Sequence, residues 1–432
     1  MGSNKFRDAA THVIAGVAPG LAIMSSRQFR KNSFNFESNS SCALPWNSFQ
    51  RKRYNAVRQN KPTKTTKTKA KSTDRADRFA WLFGTDEAIP AVCFSPEEFK
   101  SASALVLRNW QVLPVTAPRL LDWIDRSFRE NPEVQHIRDV TAAVRALARM
   151  QMLLANRFAE ELERRGVPYV FMKGIAAAFT LYPEPDLRSG LDVDIGVPRS
   201  HIRAAEQIAR EQGFEAAAFD ADNRHVYRIS ELEKQTIEAE HYELACLNRR
   251  QVVRGMNPDD EAAIRRSIPL PRAWHETEDG ELACYVTLDI HHGICLDIEV
   301  DSMVDSARRD TRHGYTAWIP QPEWMMLQLI FKIYWEGVQR YNSRGVYQFA
   351  DVVRLVEQIQ GDTASRLFDL LKQYELEAGA YYVFRVLEST LGVKLSPDLR
   401  EFLTRASIPP SNQSPVDVND MGDMWPRLWG FR

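Results

Sequence analysis

The residues best placed by type and spacing to do chemistry are Asp192 and Asp194, in the run Leu191-Asp-Val-Asp-Ile-Gly-Val197. Polar and apolar positions alternate there as in a strand, so both carboxylates leave one face, roughly 7 Å apart at the backbone. Neighbouring carboxylates repel unless a cation lies between them. Hard oxygen donors suit Mg²⁺, with Mn²⁺ the alternative, and Mg²⁺ usually takes one or two carboxylates plus substrate phosphates. Two ions about 3.5–4 Å apart need a further carboxylate to bridge and balance them. Asp289 is the first candidate, on the strand-like run from Tyr285 to Ile290, where Thr287, Asp289 and His291 face away from Val286, Leu288 and Ile290. Asp297 and Glu299 compete with it, because Leu296-Asp-Ile-Glu-Val300 alternates in the same way.

Ahead of the acid pair stands Lys173-Gly174, at an expected strand-to-helix junction. Glycine lets backbone approach a ligand closely, and the helix that follows points free N–H groups at an anion. Lys173 adds a mobile positive charge suited to a triphosphate. Arg188, four residues before Asp192, has the fork geometry to clamp a phosphate. Strand, glycine turn, helix, strand with two carboxylates, then a later strand with a third is a layout for phosphoryl or nucleotidyl transfer. Taken singly, an Asp-x-Asp pair or a Lys-Gly pair is a weak signal, and Arg188 has a plain alternative in pairing with Asp186 or Glu184. The order in which they occur carries the reading.

His291 and His292 leave an alternating strand on opposite faces and do not share an ion easily. No third ligand has helpful spacing, so zinc is not expected. His291 shares the face of Asp289 and either orients substrate or phosphate or is a satisfied structural histidine. No GxSxG, Walker A or GxGxxG sequence occurs, which leaves hydrolase-elbow, P-loop and Rossmann readings without support.

The elements that must position these residues follow from periodicity. Val140, Val144, Leu147, Leu154, Phe158 and Leu162 mark one face of a long helix, which Gly166 and Pro168 stop. Tyr169 to Met172 reads as a buried strand, residues 173–182 as a helix ended by Pro183 and Pro185, and Pro198 to Gly213 as another helix. Residues 221–281 are polar and resist assignment. From Pro322 the pattern is helical, through Trp324, Leu327, Ile330 and Phe331 to Phe349, Val352, Val353 and Val356. The expected class is α+β: a small mixed β-sheet flanked by helices, with N- and C-terminal helical regions. The boundaries expected are a disordered basic tail over 1–78, an N-terminal helical region over 79–166, a core over 167–320 and a C-terminal helical domain over 321–432. Trp335, Lys332, Arg340, Tyr341 and Arg344 are candidates to cover the site, with Asp351 left open, while Trp324 and the stretch Trp425 to Trp429 read as packing residues.

The stretch Phe171-Met-Lys-Gly-Ile-Ala-Ala-Ala, then Leu181-Tyr-Pro, then Leu187-Arg-Ser-Gly-Leu-Asp-Val-Asp-Ile-Gly-Val197 resembles the LKG…LYP…R..GDIDLLV signature of an uncharacterised bacterial nucleotidyltransferase family within the DNA polymerase β-like superfamily. Leu288-Asp-Ile-His291 looks like the family's DLHW strand, His241-Tyr-Glu243 like its preceding segment, and Phe349-Ala-Asp351 like its C-terminal helix. The resemblance covers roughly residues 100–400. It implies a nucleotidyltransferase core in which Asp192, Asp194 and Asp289 ligate two Mg²⁺ ions, Lys173 and Gly174 hold the triphosphate, and Arg188 supports it. The implied reaction moves a nucleoside monophosphate from an NTP, ATP included, to a hydroxyl on a small molecule, protein or RNA end. Two departures stand out: the usual Gly-Ser or Gly-Gly turn is Gly174-Ile175, and the gap from Gly174 to Asp192 is longer than the usual superfamily spacing, a feature this subfamily shares; a lesser one is that His292 replaces the aromatic after the family's histidine.

Composition sets the outer limits. Of 432 residues, 44% are apolar and 26% charged, ordinary globular values. No run of 18 apolar residues exists, so no spanning helix and no membrane partner are expected. Five cysteines without a CxxC pair argue against a disulfide framework or a thiolate zinc site and fit a reducing cytoplasm. The net charge of −1 conceals an asymmetry: residues 1–78 hold 16 basic against 4 acidic side chains. The basic head has two readings, a solvated tail or an arm for RNA. A non-catalytic nucleotide-binding or antitoxin-like protein of the same fold, and an RNA-directed transferase, are the alternatives to the enzyme reading.

Overall fold

Asn131 and Pro132 begin the longest element by the rules of helix capping. The Asn131 side chain accepts from the Glu133 amide, and Pro132 occupies the first helical turn, where no N–H is needed. The helix runs over Pro132–Arg164, about 50 Å at 1.5 Å per residue. It ends at Gly166, whose φ of +68° a side chain would strain. The apolar stripe of Val140, Val144, Leu147, Leu154, Phe158 and Leu162 is buried along it as the periodicity requires.

The computed structural model describes residues 96–122, 130–220, 225–268, 270–271, 273–334, 347–389 and 391–405. The expectations for the basic head over 1–78, for Trp335, Arg340, Tyr341 and Arg344, and for Trp425 to Trp429 lie outside the described residues. Helices α1 (Pro96–Arg108), α2 (Leu113–Asp122) and α3 (Pro132–Arg164) precede the first strand. β1 (Val170–Phe171), α4 (Lys173–Thr180) and β2 (Val193–Gly196) follow in the expected order. Then come α5 (Ile202–Glu211), β3 (Glu215–Asp220), β4 (His225–Arg228), α6 (Glu231–Glu240), β5 (Leu247–Val252), α7 (Pro258–Ser267), β6 (Trp274–Glu276) and the long strand β7 (Leu282–His291). Two short hairpins, β8 (Gly293–Cys295) with β9 (Ile298–Glu299) and β10 (Arg308–Arg312) with β11 (Tyr315–Ile319), flank α8 (Asp301–Asp305). The chain closes on α9 (Pro322–Lys332), α10 (Gln348–Leu355), α11 (Asp362–Gln373), α12 (Glu377–Ser389) and α13 (Pro397–Arg405). Among the described residues no helix is long and apolar enough to cross a membrane.

The architecture is α+β. The main sheet has the order β1-β2-β7-β5-β3-β4, with β6 paired to the start of β7. β2 and β7 pair in parallel, while the other pairings are antiparallel. Parallel neighbours need a crossover connection, and the segment between Gly196 and Leu282 supplies it. The polar region that resisted assignment therefore contains β5, which pairs with β7 from Leu247↔Leu288 to Val252↔Ala283. Trp274 of β6 is fully buried and donates its indole N–H to the Ala143 carbonyl at 3.0 Å, tying the sheet to α3.

Arg188 joins the C-terminal helices to the segment that carries the acid pair. Its Nε and Nη2 donate to the two oxygens of Asp351 at 3.0 and 2.9 Å. Tyr182 donates its hydroxyl to Asp351 at 2.7 Å, and the guanidinium lies 4.9 Å from the centre of the Tyr347 ring. Both charged side chains are almost wholly buried, 4% and 1% exposed. Truncating one partner of such a pair strands the other charge, which costs about 3–5 kcal/mol, whereas apolar replacement of both is often near neutral. Asp351→Ala is therefore expected to lower unfolding stability by about 3–5 kcal/mol, and the double variant Arg188→Met/Asp351→Leu to regain most of it in urea titrations. A single variant within about 1 kcal/mol of wild type would show that the pair does not hold these elements together.

Candidate active site

The parallel register of β2 and β7 sets Asp194 directly beside Asp289, and Gly196 beside His291. Asp194 and Asp289 are buried, at 2% and 6% exposure, and His291 is fully buried. Facing donor atoms of Asp194, Asp289 and His291 lie within 4.8 Å of one another. Val193, Ile195, Leu288 and Ile290 turn the opposite way into the apolar core, which fixes the face on which the acids stand. Asp297 and Glu299, the competitors for the third carboxylate, are exposed at the β8–β9 hairpin, off the main sheet.

Asp192 lies in a bend just before β2, which begins at Val193. The turn that delivers it depends on Gly190: a Cβ there would sit 2.5 Å from the Asp192 carbonyl oxygen, closer than any side chain tolerates. Gln151 of α3 clamps the same turn. Its Oε1 accepts from Ser189 Oγ at 3.0 Å and from the Gly190 amide at 3.1 Å, and its Nε2 donates to the Gly190 carbonyl at 2.9 Å.

Lys173 stands at the mouth of α4 with φ +46°, a left-handed conformation that costs a non-glycine residue energy. Its amide donates to Gln328 Oε1 of α9 at 3.2 Å, and its Nζ lies 2.7 Å from Asp194 Oδ1 and 3.2 Å from His291 Nε2. Gly174 follows with no φ that demands glycine. A Cβ on it would meet the Arg188 guanidinium at 3.6 Å, ordinary contact. The fork of Arg188, expected as a phosphate clamp, is instead committed to Asp351 beneath this turn.

His291 Nε2 contacts Asp194 Oδ1 at 2.8 Å. Its Nδ1 lies 3.1 Å from Glu243 Oε2 without the alignment of a hydrogen bond, and the Tyr242 ring stacks on the imidazole at 5.8 Å between centres. His292 leaves the other face, where its Nδ1 meets Arg199 Nη2 at 3.1 Å. Of the expected site residues, the fold thus gathers Lys173, Asp194, Asp289 and His291, keeps Asp192 within electrostatic reach, and turns Arg188 away. Glu243, Gln151 and Gly190 were not singled out from sequence for these roles. The Ser-Gly step before the acid pair was the available signal for the last of them.

The electrostatics reflect crowding of like charges. Burial, then repulsion from Asp194, pushes the Asp192 carboxyl up to about 6. Burial, then Asp192, Glu243 and Asp194, raises Asp289 well above the usual carboxylate range. Burial also opposes ionisation of Asp194, but the Lys173 ammonium and the His291 contact outweigh it and hold this carboxyl well below that range. Asp289 Oδ1 is buried without a hydrogen-bond partner. An orphaned carboxylate oxygen, two further donors within reach and a surplus of negative charge fit a divalent cation.

A family model described as an uncharacterised nucleotidyltransferase matches residues 109–392. No curated protein matches the chain. Among solved structures, an antigenic nucleotidyltransferase-like protein from Paracoccidioides brasiliensis is 15% identical, over 57% of this chain and 94% of that one, with a TM-score of 0.26.

A carboxyl raised by folding holds its proton more tightly in the folded state. The stability it contributes is present below the ordinary carboxylate range and is lost as pH rises through its folded pKa. For Asp192 that window runs from about pH 4 to just above 6. In the presence of chelator, Asp192→Asn is expected to gain stability relative to wild type across this window by about 1–3 kcal/mol. Urea titrations at stepped pH check this, and a difference that stays flat or falls with pH contradicts it.

Proposed function

Since the chain belongs to the uncharacterised nucleotidyltransferase family, we propose that it transfers a nucleoside monophosphate from an NTP to a hydroxyl acceptor and releases pyrophosphate. The observation that carries the reading is the adjacency of buried Asp194 and Asp289 on parallel strands, beside the Lys173-Gly174 turn. Asp192, Asp194 and Asp289 would hold divalent cations, Mg²⁺ or Mn²⁺, with His291 in reach as a further donor. When bound, such ions neutralise charge that develops on the transferring phosphoryl group and on the departing pyrophosphate.

The chain's own residues supply orientation and proton handling. The Lys173-Gly174 turn opens α4, whose first amides and positive end favour phosphate oxygens. Lys173 brings a cationic side chain to the same place. Asp289, beside Asp194 on the neighbouring strand, would accept the proton of the acceptor hydroxyl. The acceptor oxygen then bonds to the α-phosphorus, the bond from that phosphorus to the bridging oxygen breaks, and pyrophosphate departs with the electron pair. Gln151 and Gly190 hold the turn that leads into Asp192, and the Arg188–Asp351 pair fixes the layer beneath the Lys173-Gly174 turn.

The test is incubation with labelled NTPs and Mg²⁺ against metabolite, peptide and RNA acceptors, with pyrophosphate release as the readout. Wild type is expected to release pyrophosphate with at least one acceptor class. Asp192→Ala and Asp194→Ala, folded by circular dichroism, are expected to lose about 100-fold or more, the scale of removing one strong electrostatic contribution. Tight NTP binding by wild type without pyrophosphate release from any acceptor would favour the non-catalytic reading instead.

A further inference from the structure

The Lys173 ammonium already occupies a cation position. Its Nζ lies 2.7 Å from Asp194 Oδ1 and 3.2 Å from His291 Nε2, and those two atoms are themselves 2.8 Å apart. The three therefore form a tight triangle in which Asp194 Oδ1 faces both the ammonium and the imidazole nitrogen. This placement is built in. The backbone at Lys173 is held at φ +46°, its amide bonds to Gln328 of α9, and the flanking Met172 amide bonds to the Asp194 carbonyl at 3.0 Å.

A divalent ion held by Asp194 would need the lone pairs of the carboxylate oxygen that the ammonium now faces. Two cations on one donor pair repel, and like charges forced together cost several kcal/mol. Lysine is suited to yielding, because its ammonium is a compact charge on a flexible four-carbon stem. The Lys173 side chain is 22% exposed, which leaves it a way out, while Asp194 at 3% stays where the strand register puts it.

We propose that Lys173 is a resident counter-ion that a divalent cation displaces from Asp194 and His291, which frees the ammonium to engage the triphosphate. The proposal rests on the nucleotidyltransferase reading above. Metal occupancy and Lys173 engagement with Asp194 are then mutually exclusive, so the metal first bound and the phosphate ligand recruited are linked through one side chain.

The experiment is titration of nucleotide-free protein with Mn²⁺, followed by electron paramagnetic resonance, for wild type, Lys173→Gln, Lys173→Arg and Asp194→Asn. Lys173→Gln removes the competing charge and is expected to bind Mn²⁺ about tenfold or more tighter than wild type. Lys173→Arg keeps the charge and is expected to bind no tighter than wild type. Equal or weaker binding by Lys173→Gln, with Asp194→Asn impaired, overturns the exchange while leaving the metal site standing. Absence of Mn²⁺ binding in wild type and in Lys173→Gln alike would sink the metal reading itself. A measurement on wild type alone guards against a misfolded variant: saturating Mg²⁺ is expected to raise acetylation of Lys173 by a soluble acylating reagent, read by mass spectrometry. Labelling unchanged by bound Mg²⁺ contradicts the proposal.

Discussion

Asp194 and Asp289 are held side by side by a parallel strand register, both buried, and much of the surrounding structure answers to that juxtaposition. Like charges brought out of water together are unstable unless a cation or a proton intervenes. Both remedies are visible. Lys173 places its ammonium against Asp194 and keeps that carboxyl ionised, while Asp289, left with an unpartnered oxygen, holds its proton far more tightly than usual. Two carboxyls one strand apart are thereby driven in opposite directions.

The scaffold around the acids is arranged so that none of them relaxes away. β7 is paired with β5 on one side and with β6 and then β2 on the other, and the β2 ladder is the one that fixes Asp289 and His291. Asp192, which lies outside the strand, is held by a glycine-dependent turn that Gln151 grips through three hydrogen bonds. Arg188 and Asp351 form a second buried ion pair that keeps the C-terminal helices in register with that turn. A buried pair of this kind is weak evidence for net stability but fixes geometry, since either partner alone would be left uncompensated.

The central segment was legible because its signals are local. Gly166, Pro183 and Gly213 punctuate it, alternation marks β2 and the end of β7, and the opposite faces of His291 and His292 follow from the strand period. What escaped depends on distant contacts. β5 reads Leu-Asn-Arg-Arg-Gln-Val, too polar to announce a central strand, and is defined by its ladder with β7. Arg188 looked like a free clamp because its partner Asp351 stands 163 residues away. Glu243 follows α6 and reaches His291 through an isolated backbone bridge and a side-chain contact, so no spacing within its own segment could reveal it. The expected strand over 191–197 was also too long: the chain bends at Asp192, and the turn there is set by backbone crowding at Gly190.

The central claim is that Asp194 and Asp289 share a divalent cation on the face of the β2–β7 pair from which both carboxyls project. Anomalous diffraction from crystals equilibrated with Mn²⁺ tests it most directly. The account predicts a peak about 2.0–2.2 Å from a carboxylate oxygen of each residue. Peaks confined to other acids, with Asp194 and Asp289 untouched at saturating Mn²⁺, would contradict it.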